Sequence, residues 1–264
     1  MDAIGIIMKN TTHWRIVLGS IVFWLAIWQA IALTADSPVV PFPFAVLGRV
    51  VELIQTKDAI VDVTTSMLRV SVGVFLAFAI GLSIGIAVYL QASLSWIFRV
   101  LTWILSATPS YIWSVLAIIW FGISDYGKIF VVTCLATPQI AIGLLEGTNI
   151  GRSNLREMLE HFKVPTKTII AKFVLPSVVT HLYSSIGNSV GTSWRVLILA
   201  EALGGSTGVG CRIAEAADRL RINDLFAWAV LAILASILLQ IATRKIIRVF
   251  IGNGQDLWLS DPDC

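Results

Sequence analysis

Six polar residues recur along one apolar stretch of the chain at the spacing of a single helix face. They are Ser177, His181, Ser184, Asn188, Thr192 and Arg195, at steps of four, three, four, four and three. At about 100° per residue they occupy an arc of about 80°, opposite mostly aliphatic side chains. Such a stripe either lines a water-accessible path or bonds to a neighbouring helix. We take the five residues from His181 to Arg195 as candidates for a translocation path.

No residue pattern in the sequence indicates catalysis by this chain. The glycine-rich run at 204–210 lacks the lysine of a phosphate-binding P-loop. We therefore expect a turn there, and no ATP or other cofactor bound to this chain. The three histidines do not flank a nucleophile, and Cys134, Cys211 and Cys264 lack the spacing of a metal site or a disulfide framework.

The composition places the chain in a lipid bilayer. Of its 264 residues, 57% are hydrophobic and only 13% are charged, against about 25% charged in soluble domains. The mean hydropathy is +0.85, and ten tryptophans suit the aromatic belts of membrane interfaces. The net charge of +3 is scattered, without a stripe that would bind nucleic acid. We predict an all-α integral membrane protein.

Apolar runs of about the 20 residues that cross a bilayer predict six transmembrane helices. They are Ile16–Leu33, Leu68–Leu90, Trp96–Phe121, Ile129–Leu145, Leu175–Ala200 and Leu225–Ile247. Pro109 and Pro138 are expected to kink the third and fourth of these spans. The stretch Ala45–Ile54 predicts an interfacial helix, and a cleaved signal peptide is the alternative to the first span.

These spans divide the chain into three parts. Residues 1–67 hold the first span, an outer loop and the interfacial helix; residues 68–250 form a five-helix core; residues 251–264 are a tail. With the N-terminus in the cytoplasm, the inner side carries 11 of the 19 basic but seven of the 16 acidic residues. This agrees with the positive-inside rule and puts loop 146–174 and the C-terminus in the cytoplasm.

Two arginines lie within or beside the predicted spans. A charge at mid-bilayer costs about 2.5–3.5 kcal/mol. Arg195 is five residues from Ala200, or about 7.5 Å along the axis, so it either snorkels to the outer interface or contacts a substrate. Arg69, at the outer start of the second span, is expected to snorkel.

The second span carries small residues at every fourth position. They are Gly73, Ala77, Gly81 and Gly85. A row of this kind lets another helix backbone approach closely, so we expect these residues to serve helix packing.

Two segments and one loop resemble a known family. Residues 117–123 read Ala-Ile-Ile-Trp-Phe-Gly-Ile, and residues 193–210 include Ser-Trp-Arg, Ala-Glu and Gly-Val-Gly. Both are similar to segments of the permeases of ATP-binding-cassette importers in the nitrate, sulfonate, taurine and bicarbonate group. In the cytoplasmic loop, Glu157 and the pair Leu175-Pro176 keep the spacing of the general permease signature, whereas its alanines and glycine are replaced.

The resemblance implies a type I importer permease core of the MetI-like fold, from about Phe42 to the C-terminus. It also implies a short coupling helix in loop 146–174 that presses into a cleft on a cytoplasmic ATPase. The candidate coupling residues are Glu157, Met158, Leu159, Phe162 and Lys163.

The partners implied by the resemblance are the ATPase with its ATP and Mg²⁺, an extracytoplasmic solute-binding protein, and a second permease chain in a homodimer. The protein would be located in the prokaryotic inner membrane. The chain would form the path for a small solute, an oxyanion or a sulfonate-like compound, by alternating access. A permease for a heteroaromatic vitamin precursor and a stand-alone secondary transporter are the alternatives.

Overall fold

A computed structural model describes residues 11–35, 39–91, 93–149 and 174–259, together with Met158, His161, Phe162, Pro165, Thr168 and Lys172. The four long ranges contain helices and no strand, which confirms the all-α prediction for this part of the chain. The helices are α1 (Thr11–Ala35), α2 (Pro43–Gln55), α3 (Lys57–Leu90), α4 (Leu94–Ala107), α5 (Ser110–Phe121), α6 (Asp125–Asn149), α7 (Leu175–Gly204), α8 (Val209–Asp218) and α9 (Ile222–Leu259).

Four of the described helices are long and apolar enough to cross a bilayer unaided. These segments are Arg15–Thr34, Lys57–Leu90, Asp125–Thr148 and Ile222–Ile247. Two further spans are bent pairs, α4 with α5 at 93° and α7 with α8 at 51°. The six predicted spans are recovered when each bent pair counts as one.

The predicted third span, Trp96–Phe121, is not one kinked helix but two separate ones. Pro109 disfavours the helical conformation in the residue before it, and Thr108 is extended, with φ −83° and ψ 121°. The 12 residues of α5 rise about 18 Å, less than the roughly 30 Å of hydrocarbon core. By contrast, Pro138 lies inside the continuous helix α6.

The predicted second span, Leu68–Leu90, is only the C-terminal part of α3, which begins at Lys57. The expected boundary at residue 67 therefore falls within a continuous helix. The additional turns carry Asp62 and Ser66, both buried. An apolar run could not reveal these turns because their inward side chains are polar.

The centre of the fold is α6, which packs along both α3 and α7. The small residues of α3 all face α6: Gly73, Ala77, Gly81 and Gly85. A Cβ on Gly81 would lie 2.9 Å from the carbonyl oxygen of Thr137, and Ala77 is fully buried. Glycine at these positions lets the two backbones approach closely.

Glycines of α6 serve the contact with α7 in the same way. A Cβ on Gly147 would lie 2.5 Å from the Cα of Val178, and one on Gly143 would overlap the side chain of Ser185. Their spacing of four residues is the same packing signal as on α3, although the predictions from sequence did not use it.

The predicted interfacial helix, Ala45–Ile54, corresponds to α2. Val46, Val50 and Leu53 of α2 are buried in the same cluster as Trp228 of α9, so this face of the helix packs against protein. The helix α1 packs on α2, and its Trp28 also contacts Phe226 of α9, but just 6% of its apolar window is buried. Most of α1 is therefore left for lipid.

We predict that Gly81→Ala lowers the free energy of unfolding by about 1–3 kcal/mol, because the added methyl group meets a backbone oxygen that cannot move independently. The matched control is Gly48→Ala in α2, where a Cβ would meet nothing within 4 Å. That change should raise stability by about 0.5–1 kcal/mol through helix propensity. Unfolding in mixed micelles would measure both variants; equal stability of the two would refute the packing assignment.

Candidate functional site

A buried carboxylate, Glu201, ties α7 to α3. Its side chain is fully buried, and its Oε1 accepts hydrogen bonds from Arg69 Nη1 at 2.6 Å and from Ser66 Oγ at 2.9 Å. Its Oε2 accepts the backbone N–H of Gly210 at 3.0 Å. An unpaired buried carboxylate would be strongly destabilising, so these donors account for its charge.

Arg69 joins two more parts of the chain to this carboxylate. Its Nη1 donates to the carbonyl oxygen of Thr207 at 2.9 Å, and its Nη2 donates to Thr207 Oγ1 at 2.9 Å and to Asp125 Oδ1 at 2.6 Å. Only 4% of its surface is exposed. The expectation that Arg69 snorkels is therefore wrong, because α6, α7 and the following loop supply its partners.

Asp62 fixes the turn that leads from α7 into α8. Its Oδ1 accepts the N–H of Gly208 at 2.8 Å, and its Oδ2 accepts Arg212 Nε at 2.6 Å. Gly208 has φ +113°, and a Cβ there would overlap the carboxyl group of Glu201. The turn predicted from the glycine-rich run is confirmed, and glycine is required at this position.

We call this set of residues the Glu201 cluster. Its members are Asp62, Ser66, Arg69, Asp125, Glu201, Thr207 and Arg212. Part of the cluster has a signal in the sequence, because Asp62, Ser66 and Arg69 recur at steps of four and three and so share one helix face.

Beside the Glu201 cluster, Arg49 ties α2 to α9. Its Nε donates to Asp224 Oδ1 at 2.5 Å and its Nη1 donates to Glu52 Oε2 at 2.6 Å. These two hydrogen bonds, first the one with Asp224, raise the pKa of Arg49 above its ordinary value. The guanidinium therefore stays charged throughout the range in which proteins are folded.

A cavity of about 660 Å³ lies between α7 and α9. Its polar lining residues are Asn188, Thr192, Arg195, Ser236 and Gln240, and no acidic residue lines it. Gly187 and Gly191 lie on its α7 wall. The chemistry that it offers is therefore hydrogen bonding and a single positive charge.

The structure divides the polar stripe of α7. Asn188, Thr192 and Arg195 line the cavity, whereas Ser184 is exposed outside its lining. His181 lies elsewhere, with Nδ1 3.7 Å from Glu146 Oε2. Thr192 also bonds to a neighbouring helix, since its Oγ1 lies 3.2 Å from Gln139 Oε1 of α6.

Arg195 is exposed, and its Nε donates to the carbonyl oxygen of Gly191 at 3.2 Å. It forms no salt bridge with any of the side chains that the structure describes. Its charge is therefore not neutralised by a described acidic side chain.

Of the candidate coupling residues, Glu157, Leu159 and Lys163 lie outside the described residues. Met158 and Phe162 are described, with 49% and 72% of their surfaces exposed. The N–H of Phe162 donates to the carbonyl oxygen of Met158 at 3.1 Å, which is the bond of a helical turn. The two apolar side chains are thus about one turn apart and both exposed.

Four described membrane-spanning helices, or six spans if each bent pair counts as one, define a multi-pass membrane protein. Among the described residues no group of three or more His, Cys, Asp or Glu is placed to hold a metal ion. Residues 73–251 match the family described as the binding-protein-dependent transport system inner membrane component, and the chain belongs to that family.

Individual relatives show which transporters of this family the chain is similar to. A protein described as an aliphatic sulfonates transport permease, SsuC of Bacillus subtilis (strain 168), is 27% identical over 238 residues, covering 85% of this chain and 83% of the relative. The taurine transport system permease protein TauC of Escherichia coli (strain K12) is 24% identical over 240 residues, covering 88% and 86%.

The nitrate import permease protein NrtB of Synechocystis sp. (strain ATCC 27184 / PCC 6803 / Kazusa) is 24% identical over 214 residues, covering 76% of each chain. The resemblance to importer permeases of the nitrate, sulfonate, taurine and bicarbonate group is confirmed by these matches. The chain is a transport permease.

We predict that Glu201→Gln lowers the free energy of unfolding by about 3–5 kcal/mol, because it leaves part of the buried Arg69 charge uncompensated. The control is Glu52→Gln, whose side chain is 66% exposed in its salt bridge with Arg49 and which should cost about 0–1 kcal/mol. Thermal unfolding in detergent would compare the two. A loss for Glu201→Gln no larger than that of the control would show that the cluster does not brace the fold.

Proposed function

We propose that this chain forms the transmembrane path of an ATP-binding-cassette importer for a small anion, an oxyanion or a sulfonate. Family membership supports the permease role, and the names of relatives that handle sulfonates, taurine and nitrate support the anion class. The cavity between α7 and α9 is the candidate path, exposed in turn to each side of the membrane.

The observation that carries the substrate class is the unpaired charge of Arg195 in a cavity without acidic lining residues. A positive charge between low-dielectric walls raises the local concentration of anions. A heteroaromatic vitamin precursor would favour aromatic surface, but the cavity-lining Trp194 is only 4% exposed. The cavity therefore favours an anion.

In this proposal the energy for transport comes from ATP hydrolysis by a partner subunit. The chain has no P-loop, so ATP and Mg²⁺ would bind to a cytoplasmic ATPase that contacts the coupling residues around Met158 and Phe162. The N- and C-termini would also be cytoplasmic. A stand-alone secondary transporter has no need of two exposed apolar side chains at that position.

Two further partners complete the proposed assembly. A second copy of this chain would close the exposed side of the cavity, and an extracytoplasmic solute-binding protein would dock at the outer side. Residues 204–224, which follow α7, are the candidate docking contact. Their turn is held by the Glu201 cluster, so docking there would act directly on α3 and α7.

We predict that Arg195→Gln reduces anion uptake about tenfold or more, since a hydrogen bond to a charged group contributes about 1.5–3 kcal/mol. Uptake of labelled taurine, an alkanesulfonate, nitrate and bicarbonate would be measured in cells that also express the ATPase and the binding protein. Lys57→Gln removes an exposed charge away from the cavity and should change nothing. Full uptake of a transported anion by Arg195→Gln would refute its role.

We predict that Phe162→Ala lowers transport-coupled ATP hydrolysis at least several-fold without reducing the amount of inserted protein. The reason is that alanine cannot fill the apolar cleft on the ATPase, where burying a Phe side chain contributes about 1.5–3 kcal/mol. Phe44→Ala is the matched control, since Phe44 is 80% exposed on α2. Uptake that persists without any ATPase would instead establish a secondary transporter.

A further inference from the structure

A second arginine approaches the cavity from α9. Gly187 faces Arg244, whose Nε lies 3.6 Å from the position of a Cβ on that glycine, and Gly191 faces Gln240 at 3.5 Å. Residue numbers therefore increase along α7 in the direction in which they decrease along α9, so the two helices run antiparallel here. Gly187 lines the cavity, which places the Arg244 side chain at its edge.

The two arginines lean toward each other. Long side chains on a helix point back toward its N-terminus, and in antiparallel helices these directions are opposite. Arg195 leans toward Gly191, to whose carbonyl oxygen its Nε donates, and Arg244 lies against Gly187. These glycines are four residues apart, or about 6 Å along the axis.

The charges of this pair are not compensated within the cavity. Neither Arg195 nor Arg244 forms a salt bridge with any side chain that the structure describes, and no acidic residue lines the cavity. An anion bound between two uncompensated like charges reduces the repulsion between them. The glycines at 187 and 191 let the side chains of Arg244 and Gln240 pack against the α7 backbone.

We propose that Arg195 and Arg244 form a two-point site for an oxyanion group within the cavity, with the Asn188 amide as an additional donor. A sulfonate or other oxyanion presents several acceptor oxygens, so two guanidinium groups can bind it from opposite sides. The proposal rests on the proposed function in taking the cavity as the anion path. It adds Arg244, which no sequence pattern had assigned.

The test measures the field in the cavity with charged thiol reagents. Ser236→Cys is placed in a chain whose Cys134, Cys211 and Cys264 are replaced by alanine, and Ser206→Cys on the exposed loop is the reference position. The rates of modification by methanethiosulfonate ethylsulfonate, an anion, and by its ethyltrimethylammonium counterpart, a cation, are compared at both positions.

Arg195→Gln and Arg244→Gln should each lower the anion-to-cation rate ratio at Ser236→Cys by about threefold or more, because each removes a source of positive potential. Arg244→Lys should retain the ratio, and Lys245→Gln, an exposed neighbour on α9, should not change it. An unchanged ratio in Arg244→Gln would overturn the proposal, as would failure of both reagents to reach residue 236. Transport is measured separately: the expected ratios with no anion uptake would support this site and refute the proposed function.

Discussion

A carboxylate that is fully buried in a membrane protein constrains everything around it, and Glu201 has that role here. Its donors come from α3 and from Gly210 at the start of α8, directly after the turn that follows α7, so these elements must meet at one point. The same turn is held by Asp62 through the N–H of Gly208. The bend of 51° between α7 and α8 is therefore set by ion pairs and backbone hydrogen bonds as well as by apolar packing.

The sequence predicted the spans where apolar run length decides the structure. It placed the ends of the first, fourth and sixth spans within a few residues, because their boundaries follow the change from apolar to polar residues. It failed for the start of α3, since Asp62 and Ser66 are polar yet buried by partners distant in sequence. It also treated Pro109 as a kink, although the chain there breaks into two helices at 93°.

The polar face of α7 illustrates the limit of periodicity. The 3.6-residue repeat places residues on a common face but does not say which neighbour each turn meets. Asn188, Thr192 and Arg195 face the cavity, whereas His181 meets Glu146. On α9 the steps of four from Ser236 to Gln240 and Arg244 carried similar information. This polar spacing lies within a long apolar run, and its position beside α7 becomes apparent only from the contacts of Gln240 and Arg244 with the glycines of α7.

The glycines at 187 and 191 have a further consequence for how such a permease changes cargo over evolution. At these two positions α7 contributes no side chain, so the surroundings there are set by the facing residues of α9, Gln240 and Arg244. One face of α9, from Ile233 through Ile237 to Gln240, forms much of the opposite wall of the cavity. A few substitutions along this single helix could adapt a paralogue to a larger or smaller solute while leaving the α3–α6–α7 scaffold, and hence its folding, intact.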